Sequence, residues 1–425
     1  GAGRGLAVRF RKKIKSMENI KLYQYEMTEP IRYNYNDPIE EWQFKTLLLD
    51  AEPAELNEKD LEDIESKRLV YVKYDAERLF ENEKELRELF GIYVLAHYRN
   101  EPDDLGMLAD APHHSIRAVK TMNDKIICAI QIAEEGPIDP KMIDELLKGG
   151  KIPGNIIPDR FLKHVRLVEF ANTRGWRIVR IATHPAVQGK GIGSWAIERI
   201  LEEVKMNELD WLGAGFGVTE ELLRFWVRNG FSVVHISPDR NPVSGEYTVL
   251  VLKPANEKAM SLINIAKLEF KLKLLNSLGI NYRELEPGVA YLILNDDPYT
   301  LGEKQYREMF SPIVLDRLWT YCKGPMTFEA ASDVMHIIAK TYWLLNRDIR
   351  PSISTTHALL LITKGLQGLT WDEASEALGK PLKQLQDLGH EVACIFFEYI
   401  TRIKPDEYKP GIMIENYHRD EFSVI

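Results

Sequence analysis

Cysteine is scarce in this chain: 425 residues hold three, Cys128, Cys322 and Cys394. They lie far apart and form no metal-type pair. The simplest reading is a reduced, cytoplasmic setting with the thiols as small buried hydrophobes. No run of about 18 apolar residues occurs, so no membrane-spanning helix is expected. The amino end has no signal-peptide pattern. A Gly-x-x-x-x-Gly-Lys-Ser/Thr phosphate loop is absent, as are internal repeats and low-complexity segments. Excess positive charge is missing too: 55 Lys and Arg against 64 Asp and Glu leave a net −9, which exerts no global pull on nucleic acid. Locally, Arg4, Arg9, Arg11, Lys12, Lys13 and Lys15 crowd the start, either as a solvated face or as a phosphate-contacting edge. An initiating methionine is lacking as well. Gly1-Ala2-Gly3-Arg4-Gly5 reads as the interior of a longer, trimmed chain.

What is present is enough length for two or three domains with a sizeable core. Residues 1–73 read as a short α/β remnant and connector, with Leu6–Phe10 alternating weakly and Leu47-Leu48-Leu49 a short apolar run. Residues 74–254 read as a mixed α/β domain. Within it, Leu86, Leu89, Phe90, Tyr93, Val94 and His97 fall on one side of a helix over 83–98. Ser115–Lys120 and Lys125–Ala133 read as a hairpin, and 137–158 as an insertion of helix and loop. Thr219 reads as the cap of a helix ended by Gly230. Residues 255–425 turn mostly helical, with helices expected over 257–275, 316–321 and 329–346. Thr370–Pro381 suggests either a helix-turn-helix or one corner of a helical bundle.

The stretch richest in chemical meaning is Arg180–Ser194, where an apolar strand meets His184-Pro185-Ala186-Val187-Gln188-Gly189-Lys190-Gly191-Ile192-Gly193-Ser194 and then an amphipathic helix. Gln188-x-x-Gly191-x-Gly193 permits close backbone approach and aims the first N–H groups of a helix at a ligand. Unpaired N–H groups and the helix dipole both favour a phosphate there. A dinucleotide-binding fingerprint would put its glycines in the first βα unit, with an acidic residue about 20 positions on; here several strands precede the loop. Strand, Gln-x-x-Gly-x-Gly loop, helix, strand, helix, strand resembles the GCN5-related N-acetyltransferase fold. That resemblance implies that the loop amides hold the pyrophosphate of acetyl-CoA and that the preceding strand supplies backbone groups to the pantetheine and thioester.

Further motifs sharpen the resemblance. In order they are Glu29-Pro30-Ile31-Arg32-Tyr33, Ala96-His97-Tyr98-Arg99, Asp110-Ala111-Pro112 and Arg174-Gly175-Trp176-Arg177-Ile178-Val179-Arg180-Ile181. Then come Phe216-Gly217-Val218-Thr219-Glu220-Glu221, Asn229-Gly230-Phe231 and Asn241-Pro242-Val243-Ser244-Gly245-Glu246-Tyr247. Together they resemble the tRNA(Met) cytidine acetyltransferase family, most of all its archaeal branch, over nearly the whole chain. The resemblance implies an α/β acetyltransferase domain between a helicase-like module and an RNA-binding helical tail. It also implies formation of N4-acetylcytidine from acetyl-CoA, coupled to ATP in the full-length family. By it, acetyl-CoA contacts fall on Ile181, Ala182 and Thr183, on Gln188, Gly189, Lys190, Gly191, Ile192, Gly193 and Ser194, and on Glu221 and Arg228. Arg32 matches a nucleotide-contacting arginine. ATP with Mg would act only with the module that the phosphate-loop signature belongs to, which this sequence lacks. The implied partner is RNA, specifically tRNA.

The cytosine amine is a poor nucleophile, so direct transfer needs alignment, oxyanion stabilisation and removal of a proton. A backbone N–H near Thr183 suits the oxyanion. His97, His114 and His184 are candidate proton acceptors. His184, ahead of a proline, fits a structural role and His97 an apolar helix face; His114, which opens a strand beside the presumed substrate helices, is the preferred one. An unpaired or flipped cytidine would have to reach it, with Arg99, Lys380, Lys383 and the Arg4–Lys15 cluster tracking phosphates. Two alternatives stay open: an acetyltransferase of protein lysine or a small amine, and a non-catalytic module binding acetyl-CoA and RNA.

Overall fold

A computed structural model describes residues 31–96, 102–242 and 244–414, with isolated positions 14, 23, 25 and 417. The Arg4–Lys15 cluster, the weakly alternating Leu6–Phe10, and His97 and Arg99 lie outside the described residues. The chain divides into two compact units. The first comprises Gly1–Lys163, Val168–Gly215 and Pro254–Ala259. The second comprises His164–Leu167, Phe216–Lys253 and Met260–Ile425.

The first unit runs α1 (Pro38–Thr46), α2 (Glu58–Glu65), β1 (Leu69–Tyr74), α3 (Ala76–Glu81), α4 (Glu83–Ala96), α5 (Pro102–Asp110), β2 (His114–Thr121) and β3 (Ile126–Glu135). It continues with α6 (Pro140–Leu147), α7 (Ile156–His164), β4 (Gly175–Thr183), α8 (Ile192–Met206) and β5 (Trp211–Gly217). Leu47-Leu48-Leu49 is a turn after α1 and not a strand, with only Leu48 fully buried among the three. Strands β1 to β4 are successive antiparallel neighbours, and β4 pairs in parallel with β5. β3 is buried along almost its whole length, which is why it reads as an apolar run and not an alternating one. The helical face predicted for α4 is the one that packs: Leu86, Leu89, Phe90, Tyr93 and Val94 join Ile116, Ala118, Ile126, Ala129 and Ala182 in one core. A buried charge pair ties α8 to the sheet. Arg117 on β2, 1% exposed, donates through Nε and Nη2 to Glu203 and stacks 5.1 Å over the Trp176 ring.

In the second unit β6 (Ser232–Arg240) and β7 (Tyr247–Pro254) pair antiparallel after α9 (Glu220–Arg228). The predicted cap holds: the Thr219 side chain accepts from the Leu222 amide, and Gly230 follows at φ +80°. Then come α10 (Glu257–Ser277), α11 (Pro287–Leu294), α12 (Glu303–Arg307), α13 (Pro312–Lys323), α14 (Ser332–Tyr342), α15 (Thr355–Leu360), α16 (Trp371–Leu378) and α17 (Leu382–Thr401). The helix expected over 329–346 is shorter, because a 3-10 turn at Glu329–Ala331 precedes α14. Around Thr370–Pro381 a capping box formed by Thr370 and Glu373 starts α16, and Gly379 in the left-handed region ends it. Ala374 and Leu385 pack with Leu360, so this segment is a bundle corner.

One reading is corrected here. Cys322 on α13 and Cys394 on α17 form a disulfide, 72 residues apart in sequence. Spacing along the chain concealed it, because the two helices are brought side by side only by tertiary packing. Cys128 is the free, buried thiol, pushed up to about 12 by burial. The inference of a reducing compartment from the cysteines therefore loses its support. Among the described residues no helix is long and apolar enough to cross a membrane, and no group of three His, Cys, Asp or Glu is placed to hold a metal.

Candidate acyl-donor and acceptor site

The site begins with a defect in the sheet. β3 and β4 run in register from Glu135↔Gly175 to Ile132↔Ile178, then slip, so that Gln131 faces Arg180 and Val179 is left over. Such a bulge bends its strand and sharpens the local twist. The parallel ladder between β4 and β5 covers Gly175↔Trp211 to Ile178↔Ala214 and stops at the same place, although β4 continues to Thr183. Beyond the bulge Ile181, Ala182 and Thr183 pair with Ile130, Ala129 and Cys128 on one side. Among the described residues no strand pairs with their other backbone edge, and such an edge is where an extended segment can add as a further strand.

β4 leads directly into the glycine loop. The His184 amide donates to the Ile127 carbonyl. The His184 Nδ1 accepts from the Ala186 amide, which leaves Nε2 as the donor to the Ala54 carbonyl at 2.8 Å. His184 is thus a structural pin. Pro185–Val187 make a 3-10 turn with Val187 buried, and Gln188 is extended. Gly189 and Gly191 take φ of +78° and +75°, which favour glycine, and Gly191 caps α8 without any side-chain bond. The first intrahelical bond is Trp195 N–H to Gly191 O. The Ile192, Gly193 and Ser194 amides precede it and point out of the helix end. Gln188, Gly189, Lys190 and Gly191 are exposed, while Ile192, Ala196, Ile197, Ile200 and Val204 bury the opposite face of α8. The exposed loop and the amino end of α8 thus follow directly on the part of β4 that has left the β5 ladder.

His114 opens β2. Gln131 Nε2 lies 2.7 Å from His114 Nδ1. An amide nitrogen only donates, so the imidazole accepts there and carries its own proton on Nε2. Burial, then the neighbouring His113 and Arg177, push the ring down to about 4, so it is neutral near pH 7. Arg180, opposite Gln131, was not singled out as a site residue in the sequence. It pairs with Asp104 on α5 and lies 5.8 Å over the Tyr93 ring of α4, while its Nη1 is buried without a hydrogen-bond partner among the described residues. Its place in the bulge register, invisible without the structure, sets it opposite Gln131, the residue that meets His114. Glu221 and Arg228 are exposed on α9 of the second unit, where an ion pair joins Arg224 and Glu220. Arg32 is exposed in the first unit, and Lys383 is exposed on α17.

A bulged, splayed β4, a Gln-x-x-Gly-x-Gly loop and the amino end of α8 define a GCN5-related acetyltransferase fold. In agreement, the family model for GNAT acetyltransferase 2 matches residues 88–202 and 199–256. A second family model, RNA cytidine acetyltransferase NAT10/TcmA helicase domain, matches residues 1–50. The tRNA(Met) cytidine acetyltransferase TmcA of Thermofilum pendens is 46% identical over 408 residues, 96% of this chain and 50% of that protein. Those of Methanopyrus kandleri and Pyrococcus abyssi are each 45% identical, over 97% and 96% of this chain and 48% and 49% of theirs. The chain belongs to the tRNA(Met) cytidine acetyltransferase family. It spans about half the length of the curated relatives it matches.

Proposed function

We propose that this chain transfers the acetyl group of acetyl-CoA to the exocyclic N4 amine of a cytidine in tRNA. The observation that carries the reading is the coincidence, at one end of β4, of the open strand edge with the glycine cradle, in a chain whose relatives are named tRNA(Met) cytidine acetyltransferases.

When bound, acetyl-CoA supplies an activated acyl carbon. Gln188–Ser194 hold its phosphates through backbone N–H groups, and Ile181, Ala182 and Thr183 align its amide arm. A backbone N–H near Thr183 receives the charge developing on the carbonyl oxygen. The new C–N bond forms as the C–S bond breaks, and the amine proton ends on the departing thiol. His114 offers an N–H and not a lone pair, so we assign it to holding the ring acceptors of cytosine, in place of the proton acceptor considered from sequence. The Arg180 Nη1 is a second donor of the same kind. The helical residues 255–425 present Lys380 and Lys383 to RNA phosphates. Residues 1–73 close a helicase-like module in which Arg32 contacts ATP, and the cytoplasm is the setting that such RNA chemistry implies.

Nucleoside mass spectrometry tests this. The chain is incubated with acetyl-CoA and tRNA, with and without ATP. N4-acetylcytidine in both arms is expected if the acetyltransferase residues suffice. Product only with ATP places the coupling within this chain. No product, with acetyl-CoA still bound, removes the transferase reading for the chain as it stands.

A further inference from the structure

The segment before β1 reaches the glycine loop in a way the sequence did not signal. Helix α2 ends in a Schellman turn: the Lys67 amide donates to Ile64 O at 3.2 Å and the Arg68 amide to Asp63 O at 2.9 Å. The residue after the cap takes the left-handed conformation, and glycine is the low-cost choice there. This chain places Lys67 in that position, at φ +54°. A side chain kept in a strained backbone position points toward a role for it. Its ammonium donates to the Lys190 carbonyl and lies 3.3 Å from where a Cβ on Gly191 would stand. Two residues earlier, Glu65 takes the Lys190 ammonium at 2.9 Å. The one corner thus grips the loop by both its backbone and its side chain.

The electrostatics are lopsided. Among the described residues no carboxylate pairs with Lys67, while its ammonium stands at the amino end of the 15-residue α8, where the helix dipole already favours negative charge. Two like signs are placed together unless an anion joins them. We propose that Lys67 is a positioning residue of the acetyl-CoA site: it fixes the Lys190 carbonyl outward, so that the loop amides turn inward, and its ammonium supplements them on the diphosphate. This rests on the reading of Gln188–Ser194 as the diphosphate cradle.

The test uses the full chain and four variants, Lys67→Gly, Lys67→Met, Lys67→Arg and Gly191→Glu. Binding of acetyl-CoA is compared with that of acetyl-pantetheine, which lacks the diphosphate, across salt concentrations. Lys67→Gly and Lys67→Met are expected to weaken acetyl-CoA about tenfold, as loss of one charge-assisted contact does, to flatten the salt dependence and to leave acetyl-pantetheine unchanged. Lys67→Arg restores most of the affinity. Lys67→Gly is expected to melt no lower than the parent, since glycine relieves the left-handed turn, and a merely structural role does not separate affinity from stability in that way. Wild-type acetyl-CoA affinity in Lys67→Gly, or an equal loss of both ligands, overturns the proposal. If Gly191→Glu loses acetyl-CoA while Lys67→Gly keeps it, the role of Lys67 alone falls. If Gly191→Glu keeps it too, the cradle reading itself falls.

Discussion

Reducing the Cys322–Cys394 bond should destabilise the helical part of the chain substantially. The bond closes a loop of 72 residues between α13 and α17. In the chain-entropy treatment, a loop of that length restricts the unfolded ensemble by about 4 kcal/mol at 25 °C. Both cysteines lie on helix faces packed together independently of the bond: His390 Nδ1 meets the Tyr321 carbonyl at 2.5 Å, and the Tyr321 and His390 rings meet at a 35° tilt with centroids 4.7 Å apart. The native contacts therefore survive reduction, and the loss comes mainly from the unfolded side. For a unit of this size, about 4 kcal/mol corresponds to a melting shift of roughly 10 °C. Differential scanning calorimetry with and without a phosphine reductant, and on Cys322→Ser, reads the shift. Thiol titration in denaturant without reductant should find one reactive thiol, Cys128, among the three cysteines. Three thiols, or transitions coinciding within a degree or two, would refute the reasoning.

Glu203→Ala should cost about 3 kcal/mol in urea unfolding, because it strands the buried Arg117 guanidinium; a loss below about 1 kcal/mol, well short of that burial penalty, contradicts the pairing. Gly175→Ala should destabilise by about 1–3 kcal/mol or more through overpacking, since a Cβ there lands inside the Trp211 ring, itself held by the Thr173 hydroxyl at 2.9 Å; a neutral effect would show that β4 and β5 can separate there freely. His114 titrates near 4 when folded and near 6.5 as the free side chain. The unfolded chain therefore takes up its proton first, and stability falls as pH drops through that window, with no contribution above it. His114→Asn should remove that slope between pH 6.5 and 4, and an unchanged slope assigns it to other groups.

Much of this was legible because local chemistry and tertiary structure agree. The α8 helix over Ile192–Met206 follows from the glycines at its start and its apolar spacing, and α9 from Thr219 and Gly230. The β2–β3 hairpin follows from the polar break at Met122-Asn123-Asp124. What stayed hidden depends on pairs far apart in the chain. The Val179 bulge is a matter of register between strands, and a two-residue periodicity does not report which residue is left over. Arg117 with Glu203, Cys322 with Cys394 and Lys67 with Lys190 are separated by 86, 72 and 123 positions. The histidines show the intermediate case. Sequence singled out His114 by its place before a strand, but the tautomer that governs what it can do is set by Gln131, which no spacing rule connects to it.

The most direct test of the central claim is a competition in one vessel. The chain receives isotopically labelled acetyl-CoA together with tRNA, a lysine-rich peptide and a polyamine, and all three are analysed for the label by mass spectrometry. The account predicts label on N4 of cytidine in tRNA, lost in Gly191→Glu. Label on the peptide or the polyamine, with none on cytidine, would contradict it.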